Sequence, residues 1–346
     1  MVNQGHVMHK LIFRAFPDHF AQNSIYAHFP FVTPTENKTI HDSLETSDKY
    51  SWDTPKRKAQ TVFIRSHEAV MAILSNKKDF KVTWGEAMQF GASPEGTEHS
   101  GNFCLAGDNE GNAANREQNG RALYGPPHWA DELRAFCDVK TAQLLKKYRI
   151  PVVESGEVKQ EVDIVRDVLG LVTTHTMAAM FSLPLRTSSS PHGIYTEHEL
   201  FGVLFAVFAL IFFDVDVANS FKLRETAQTL SQQLGGLIAL NARAGKLADL
   251  VHEVERAVNA NGHADPEPSL PSFGNKLIAH IVEQAGSVEQ AVWGSIIFLV
   301  ASGTANQTQL LSQCLDYYLG PGFSHMEELH RLAHLHTQDA DEKLMR

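Results

Sequence analysis

The chain has 346 residues, of which 43% are hydrophobic and 20% charged, a balance typical of globular rather than disordered proteins. That length allows one large domain or two ordinary ones, with a sizeable core. With 40 acidic and 30 basic residues the formal net charge is −10. Because phosphate binding needs a basic face, this charge argues against nucleic acid as a main partner.

The number of cysteines and the length of the apolar runs indicate in which cellular compartment the protein is expected. Three cysteines, Cys104, Cys137 and Cys314, are too few for a disulfide framework, which favours a reducing compartment. The N-terminal residues lack a signal-peptide pattern. The long apolar run 200–213 is shorter than the ~18 residues that a membrane-spanning helix needs. We therefore expect no transmembrane segment, and a protein that is cytoplasmic or peripheral to lipid membranes or lipid bodies.

The N-terminal part of the chain predicts short elements. The first 60 residues are aromatic and punctuated by proline, which is typical of loops. Residues 61–64 predict a short strand, and Ser66 predicts the N-cap of a helix over 67–74. The chain is then predicted to return to extended structure over 77–84.

From Pro127 onwards the apolar spacing is helical. Before it, residues 91–120 are rich in Gly, Asn, Glu and Ser and predict a long polar loop or lid. Helices are predicted over 129–148, 161–181, 197–217, 221–240, 246–259, 275–286, 291–320, 327–335 and 339–345. The prediction is therefore a mainly α fold with a small β element near residues 61–84.

The segment Ala291–Gly320 is predicted to be the buried centre of the fold. It contains no proline, and no charged residue precedes Asp316. A helix that is apolar on nearly all sides belongs in the middle of a protein. Ser287, with Gln290 three residues later, has the spacing of a capping box and predicts the start of this helix.

Small residues and then amides occupy the middle of that helix. Asn306 and Gln309 are three residues apart and share a face, with Ser302 and Gly303 on or next to it. Two amides beside a notch of small residues suit a flat apolar cofactor or substrate lying against the backbone. The alternative is a satisfied polar network inside a helical core, and the pattern alone leaves both open.

The helix resembles the long distal helix of haem-thiolate monooxygenases of the cytochrome P-450 type. Its residues 305–309, Ala-Asn-Gln-Thr-Gln, match the Ala-Asn-x-x-Gln motif of the cytochrome domain of fungal fatty-acid (linoleate) diol synthases, also called psi-factor-producing oxygenases. Further matching segments follow in the family's order: LIFRAFPDHFAQNSIYAHFPFVTP within 9–44, SDKYSWDTP (47–55), AILSNKKDFKVTWG (72–85), DIVRDV (163–168), FSLPL (181–185) and EELHRLA (327–333).

The resemblance implies a two-domain oxygenase. In that family an upstream haem dioxygenase domain adds oxygen to an unsaturated fatty acid, and the cytochrome domain isomerises the hydroperoxide to a dihydroxy acid, an oxylipin. By this resemblance, residues 1–45 join an absent upstream dioxygenase domain to a partial cytochrome domain over 46–346. The cofactor implied is haem, and the ligand is an unsaturated fatty acid or its hydroperoxide.

The resemblance also implies roles for individual residues. Asn306 stands where an ordinary monooxygenase has an acid, so it is expected to orient the hydroperoxide, with Gln309 as its helper. Ser302, Gly303 and Phe298 are expected on the haem and substrate face. Phe208 lies in a phenylalanine-rich helix that resembles the roof of the substrate channel, although buried core is the ordinary explanation for that pattern.

Two other positions have a structural alternative beside the functional one. Trp129 and Arg134 resemble the pair that reaches the haem propionates, but they are five residues apart where the family has four, and a plain amphipathic helix fits equally well. His175, on an apolar helix, is predicted to be a hydrogen-bonded core histidine rather than a ligand.

The cysteine ligand of a haem-thiolate enzyme has no candidate in the sequence. Such a cysteine belongs in a Gly-rich loop after the central helix, and Cys104, Cys137 and Cys314 do not fit that place. The chain is therefore expected to stop before that loop. Two hypotheses follow: a part of an oxylipin-forming enzyme, or a truncated, non-catalytic chain without haem that serves at most as a fatty-acid-binding or interaction module.

Overall fold

The computed structural model describes residues 66–212 (apart from 77, 83, 95, 155 and 188–189), 221–244, 268–335 and 337–344. Within them the chain is mainly helical, as predicted. The elements in chain order are α1 (His67–Ser75), α2 (Gly85–Gly91), α3 (Thr97–Ser100), α4 (Glu110–Tyr124), α5 (Trp129–Tyr148), β1 (Ile150–Glu154), β2 (Glu157–Glu161), a π-helical segment (Ile164–Leu169), α6 (Gly170–Met180), α7 (Glu197–Phe212), α8 (Phe221–Ala244), α9 (Asn275–Ala285), α10 (Val288–Ala291), a π-turn (Val292–Ile296), α11 (Ile297–Leu319), a 3-10 turn (Phe323–His325), α12 (Met326–Ala333) and α13 (Gln338–Leu344).

The sheet lies in a different place from the predicted β element. Strands β1 and β2 form an antiparallel hairpin between α5 and α6, with Ile150 opposite Glu161 and Glu154 opposite Glu157. The sequence pattern had placed strand near residues 61–84.

Part of that predicted β element can be compared with the structure. Its residues 61–65 lie outside the described residues, whereas 78–82 form a turn and irregular chain. The backbone N–H of Asp79 donates to the side chain of Asn76, and that of Val82 donates to Asp108. Because side chains satisfy these backbone groups, the segment needs no partner strand.

The polar stretch 91–120, predicted to be a loop, is helical over 97–100 and 110–120 and otherwise forms turns and irregular chain where it is described. Helix α4 begins with a capping box in which the side chains of Asn109 and Asn112 each bind the other's backbone N–H. The buried amide of Asn112 also donates to the carbonyls of Gly101 and Phe103 at 2.9 and 2.7 Å. Side-chain amides hold this region together, so its sequence shows little apolar periodicity.

Helices α10 and α11, with the π-turn between them, form one continuous helix, Val288–Leu319, called the central helix below. It begins as predicted, because the Ser287 hydroxyl accepts from the backbone N–H of Gln290. Among the described helices it is the one long and apolar enough to cross a membrane. However, 72% of its most apolar stretch is buried inside the protein, and a buried core helix passes the same test of length and composition.

Helix α6 packs against the central helix at very short range. A Cβ atom on Gly303 would come within 2.7 Å of the sulfur of Met177, so a side chain at this position would require the Met177 side chain to move. Further along, the hydroxyls of Thr173 and Thr308 lie 2.7 Å apart in the buried interface. Helix α7 packs against the central helix as well.

A buried carboxylate fixes the start of α7. Glu197 Oε2 lies 2.7 Å from His175 Nε2 of α6, which confirms the prediction of a hydrogen-bonded core histidine. Glu197 Oε1 accepts hydrogen bonds from Lys147 and Tyr148 at the end of α5. One side chain thus joins three helices.

These contacts shift the ionisation of the Glu197 carboxyl. Burial alone would raise its pKa, but the hydrogen bonds from His175, Lys147 and Tyr148 outweigh burial and hold the pKa well below its usual range. Conversely, burial and the adjacent Glu197 raise the pKa of Tyr148, which keeps its hydroxyl protonated and able to donate. The cluster is therefore ionic at neutral pH.

Gly303→Leu is expected to lower the free energy of unfolding by about 1–3 kcal/mol, because the new side chain must displace Met177 from a packed contact. The control is Gly236→Leu in α8, where a Cβ would have no heavy atom within 4 Å. That change should leave stability equal or slightly higher through helix propensity. Urea unfolding followed by circular dichroism measures both, and equal losses would contradict the close contact.

Glu197→Gln is expected to cost about 3 kcal/mol of unfolding free energy at neutral pH, because it breaks a buried ionic cluster. The folded pKa of Glu197 lies below the unfolded value of about 4.3, so this stabilisation is present above that pH. It is lost as the pH falls through the folded pKa, and the variant should show a weaker acid dependence of melting temperature.

The control for this change is Glu328→Gln. Glu328 is exposed and pairs with Arg331 on the same helix, so its variant should melt like the parent protein at neutral pH. A Glu197→Gln protein that kept the parent's melting temperature would contradict the role of the buried carboxylate.

Candidate functional site

One face of the central helix is open. Asn306, Gln307 and Leu310 are exposed, whereas Ala305 and Thr308 are buried. This alternation follows the helical period, with the buried side facing α6 and α7. The amide of Asn306 is therefore accessible to a ligand lying along that face.

Gln309 lies at the edge of the same face and is half-buried. Its side-chain nitrogen Nε2 is buried and has no hydrogen-bond partner. A buried amide donor without a partner costs about 1–3 kcal/mol, so such groups are rare unless a ligand or water satisfies them. Asn306 and Gln309 together thus present one accessible amide and one unsatisfied donor, three residues apart.

The small residues before Asn306 contact protein. The Ser302 hydroxyl is buried and donates to the carbonyl of Phe298 at 2.6 Å. The space beside Gly303 is filled by Met177. Phe298 is buried and packs against Phe103, with ring centroids 5.2 Å apart. The notch predicted from Ser302 and Gly303 is therefore used for helix packing.

Phe208 belongs to an aromatic row on α7. It is buried and its ring centroid lies 4.7 Å from that of Phe212 at a tilt of 41°, and Phe212 in turn contacts Trp84 edge-on at 4.7 Å. Phe201 and Phe205 form another pair on the same helix. These rings pack as core, the ordinary explanation of the phenylalanine-rich pattern, and they form the apolar layer beside the central helix.

Trp129 and Arg134 lie in the first half of α5. The Trp129 ring is half-buried and meets Tyr124 edge-on, with ring centroids 5.0 Å apart. Arg134 Nη1 lies 3.8 Å from Asp131 Oδ1, one turn earlier. Trp129 also packs against the main hydrophobic core, so its ring has a structural role here.

The three cysteines are not arranged as metal ligands. Burial raises the pKa values of Cys104 and Cys137, so both are thiols at neutral pH. Cys137 lies 3.6 Å from the hydroxyl of Thr176, and Cys314 is exposed on the central helix. Among the described residues no group of three or more His, Cys, Asp or Glu side chains could hold a metal ion.

Hydroxyls in the second half of the central helix bond back to carbonyls of the same helix. Thr308 Oγ1 is 2.8 Å from the carbonyl of Thr304, and Ser312 Oγ is 2.7 Å from that of Thr308. The Thr304 hydroxyl is buried and has no hydrogen-bond partner. Sequence spacing did not single out Thr308, whose contact with Thr173 only the packed structure reveals. The open face therefore offers amides and carbon, and its neighbouring hydroxyls are turned away.

Comparison with known proteins gives related sequences along the whole chain. It is 45% identical to a linoleate diol synthase of Gaeumannomyces graminis and 42% identical to a psi-producing oxygenase A of Emericella nidulans, each over 100% of this chain. A bifunctional dioxygenase–epoxy alcohol synthase of Fusarium oxysporum is 36% identical over 99% of it. No protein-family model and no solved structure matches the chain.

The match covers a limited part of each relative. The chain spans 33% of the linoleate diol synthase, 31% of the psi-producing oxygenase and 26% of the epoxy alcohol synthase. Identities of this size along the full chain also agree with the family expected from residues 305–309. The chain corresponds to about a third of the length of the diol synthase and the psi-producing oxygenase. It therefore belongs, as a part, to the family of linoleate diol synthases and psi-producing oxygenases.

Proposed function

We propose that this chain is the distal part of a hydroperoxide isomerase site in a fatty-acid diol synthase. The observation that carries the proposal is the open face of the central helix, where Asn306 is exposed and Gln309 keeps a buried, unpartnered N–H donor. A hydroperoxide group has two oxygen atoms that accept such donors. The names of the relatives support a linoleate-type fatty acid as the source of that group.

The chemistry needs orientation rather than an external oxidant. Converting a hydroperoxide into a diol moves one peroxide oxygen onto a carbon of the same molecule, so atoms and electrons balance without a co-reactant. An amide can hold the peroxide by hydrogen bonds while leaving its proton in place. Asn306 would bind the distal oxygen in this arrangement, and Gln309 would support its position.

Haem is the cofactor proposed for this site, by the family resemblance. What supports this choice in the structure is that Asn306 and Leu310 are both exposed on the open face, so an amide and an apolar side chain are available to such a group. Haem would supply the iron that cleaves the O–O bond. The described residues offer no thiolate for that iron, so we propose that residues 46–346 form only part of the cytochrome domain, with 1–45 joining it to the dioxygenase domain.

A second candidate function has its own observation. Large apolar side chains stay exposed along the second half of the central helix and just after it, notably Leu310, Leu319 and Phe323, each at least 59% accessible. Such a surface binds hydrocarbon. A chain without haem would then act as a fatty-acid-binding or interaction module.

A haem titration tests whether this chain by itself supplies a thiolate ligand. We expect the purified chain, titrated with haem, to show no thiolate-type shift on reduction with carbon monoxide, because neither half-buried cysteine is ionised and Cys314 lies on the central helix itself. An absorption band of the thiolate type would contradict this expectation and would assign a complete haem site to the chain.

In haem-loaded protein that contains this sequence, Asn306→Leu is expected to leave the haem spectrum unchanged. The same change should divert hydroperoxide from diol to other products and slow diol formation about tenfold or more, as expected for loss of one orienting donor. Product analysis by chromatography measures both effects.

Gln307→Leu is the matched control, because Gln307 is an exposed amide on the next residue that points about 100° away around the helix. It should keep the parent's product profile. An unchanged profile in Asn306→Leu would refute the role of Asn306.

A further inference from the structure

The central helix contains a π-turn near its start. The backbone N–H of Ile297 bonds to the carbonyl of Val292, five residues back, instead of four as in an α-helix. A π-turn holds one more residue than an α-turn, so it sets the rotation of every residue that follows. The directions in which Asn306 and Gln309 point thus depend on this turn, about two helical turns upstream.

Asn115 of α4 holds the π-turn from outside. Its side-chain nitrogen Nδ2 donates to the carbonyl of Gly294 at 3.2 Å and lies 2.8 Å from the hydroxyl of Ser295. Its oxygen Oδ1 accepts from the backbone N–H of Cys104 and from the amide of Asn119. The Asn115 side chain thus donates to the π-turn and accepts from Cys104 and Asn119, so it connects the turn to α4 and to the segment before it.

The opposite side of the turn is also filled. The Trp293 indole is buried between Gly96 and Gly235, where a Cβ on either glycine would come within 2.2 Å of the ring. A Cβ on Gly294 would lie 3.2 Å from the carbonyl of His99. Apolar packing thus encloses this side of the turn, and among the described residues Asn115 supplies the side-chain hydrogen bonds to the turn itself. These bonds oppose its relaxation into a regular α-turn, as does the contact of Thr308 with Thr173 further along the helix.

Relaxation of the π-turn would have a defined geometric result. With every residue retained, the helix beyond it would rotate by about 100°, the angle of one residue. Ala305, now 3% exposed, would take the present direction of Asn306. Gln307, now exposed, would take the buried direction of Thr308.

We propose that Asn115 is a positioning residue that keeps the π-turn in its present register and thereby sets the rotation at which Asn306 and Gln309 reach the open face. This inference rests on the proposed function for its catalytic meaning. Its structural content, the register of the central helix, can be measured without haem or substrate.

The test uses Asn115→Asp and two reporter thiols. The substitution is isosteric and keeps the acceptor for Cys104 and Asn119, but it removes the donors to Gly294 and Ser295. Ala305→Cys and Gln307→Cys are each made in the parent and in the N115D background. Rates of thiol modification are then measured in the folded chain, with each site identified by peptide mass spectrometry.

In the parent, the thiol at position 307 should react quickly and that at 305 slowly. In the N115D background the rate at 305 should rise several-fold while the rate at 307 falls several-fold. Opposite changes are the signature of rotation, because simple loosening of the fold would raise both rates. Unchanged rates, or a rise at both positions, would overturn the proposal.

Gln118→Glu is the matched control. Gln118 lies on the same helix and lines the same small amide-rich pocket, and its change adds the same charge without removing a bond to the π-turn. Both rates should stay as in the parent. If N115D does not fold, Ser295→Ala removes one of the two acceptors and should give smaller shifts of the same opposite signs, whose absence would equally overturn the proposal.

The thiol-rate test of Asn115 and the product test of Asn306 can fail independently of each other. Rotation in N115D together with an unchanged product profile in Asn306→Leu would retain the positioning of the helix and reject the role of Asn306. Unchanged thiol rates together with a diverted profile in Asn306→Leu would do the reverse.

Discussion

The approach of α6 to the central helix at Gly303 is the constraint on which the arrangement of the candidate site depends. The Met177 side chain fills the space beside Gly303, and further along the same interface the hydroxyl of Thr173 meets that of Thr308. Together with α7, α6 covers the buried sides of the central helix. The remaining face is open, and it is the one that carries Asn306.

Local patterns predicted the features that one segment determines by itself. The hydroxyl of Ser287 and the apolar run after it define the start of the central helix, and helical spacing puts Asn306 and Gln309 on one side of it. Similarly, an apolar helix with a single histidine predicted the buried hydrogen bond of His175. Each of these follows from propensity, capping or period, which depend on neighbours in sequence.

Features that depend on distant partners were not predictable in the same way. The stretch 91–120 looks like a loop because its helix is held by Asn112 and other amides and not by an apolar stripe. Ser302 and Gly303 looked like a ligand notch, and only the position of Met177 shows the packing that uses it. Residues 78–82 of the predicted β element form no strand, since side chains of Asn76 and Asp108 take up the backbone donors of 79 and 82.

The hydroxyls of the central helix that bond to its own carbonyls limit the proton-transfer chemistry available beside Asn306. Ser302, Thr308 and Ser312 each bind a carbonyl one turn back, and the Thr304 hydroxyl is enclosed. Such bonds occupy the hydroxyl hydrogens that a proton wire would need. Residues 302–312 of this helix contain no acid, so a peroxide bound at Asn306 would have neutral amides beside it. Selectivity at this site would then depend on how the amides orient the O–O bond for cleavage. Side reactions that consume protons and release water would find no proton donor among these side chains.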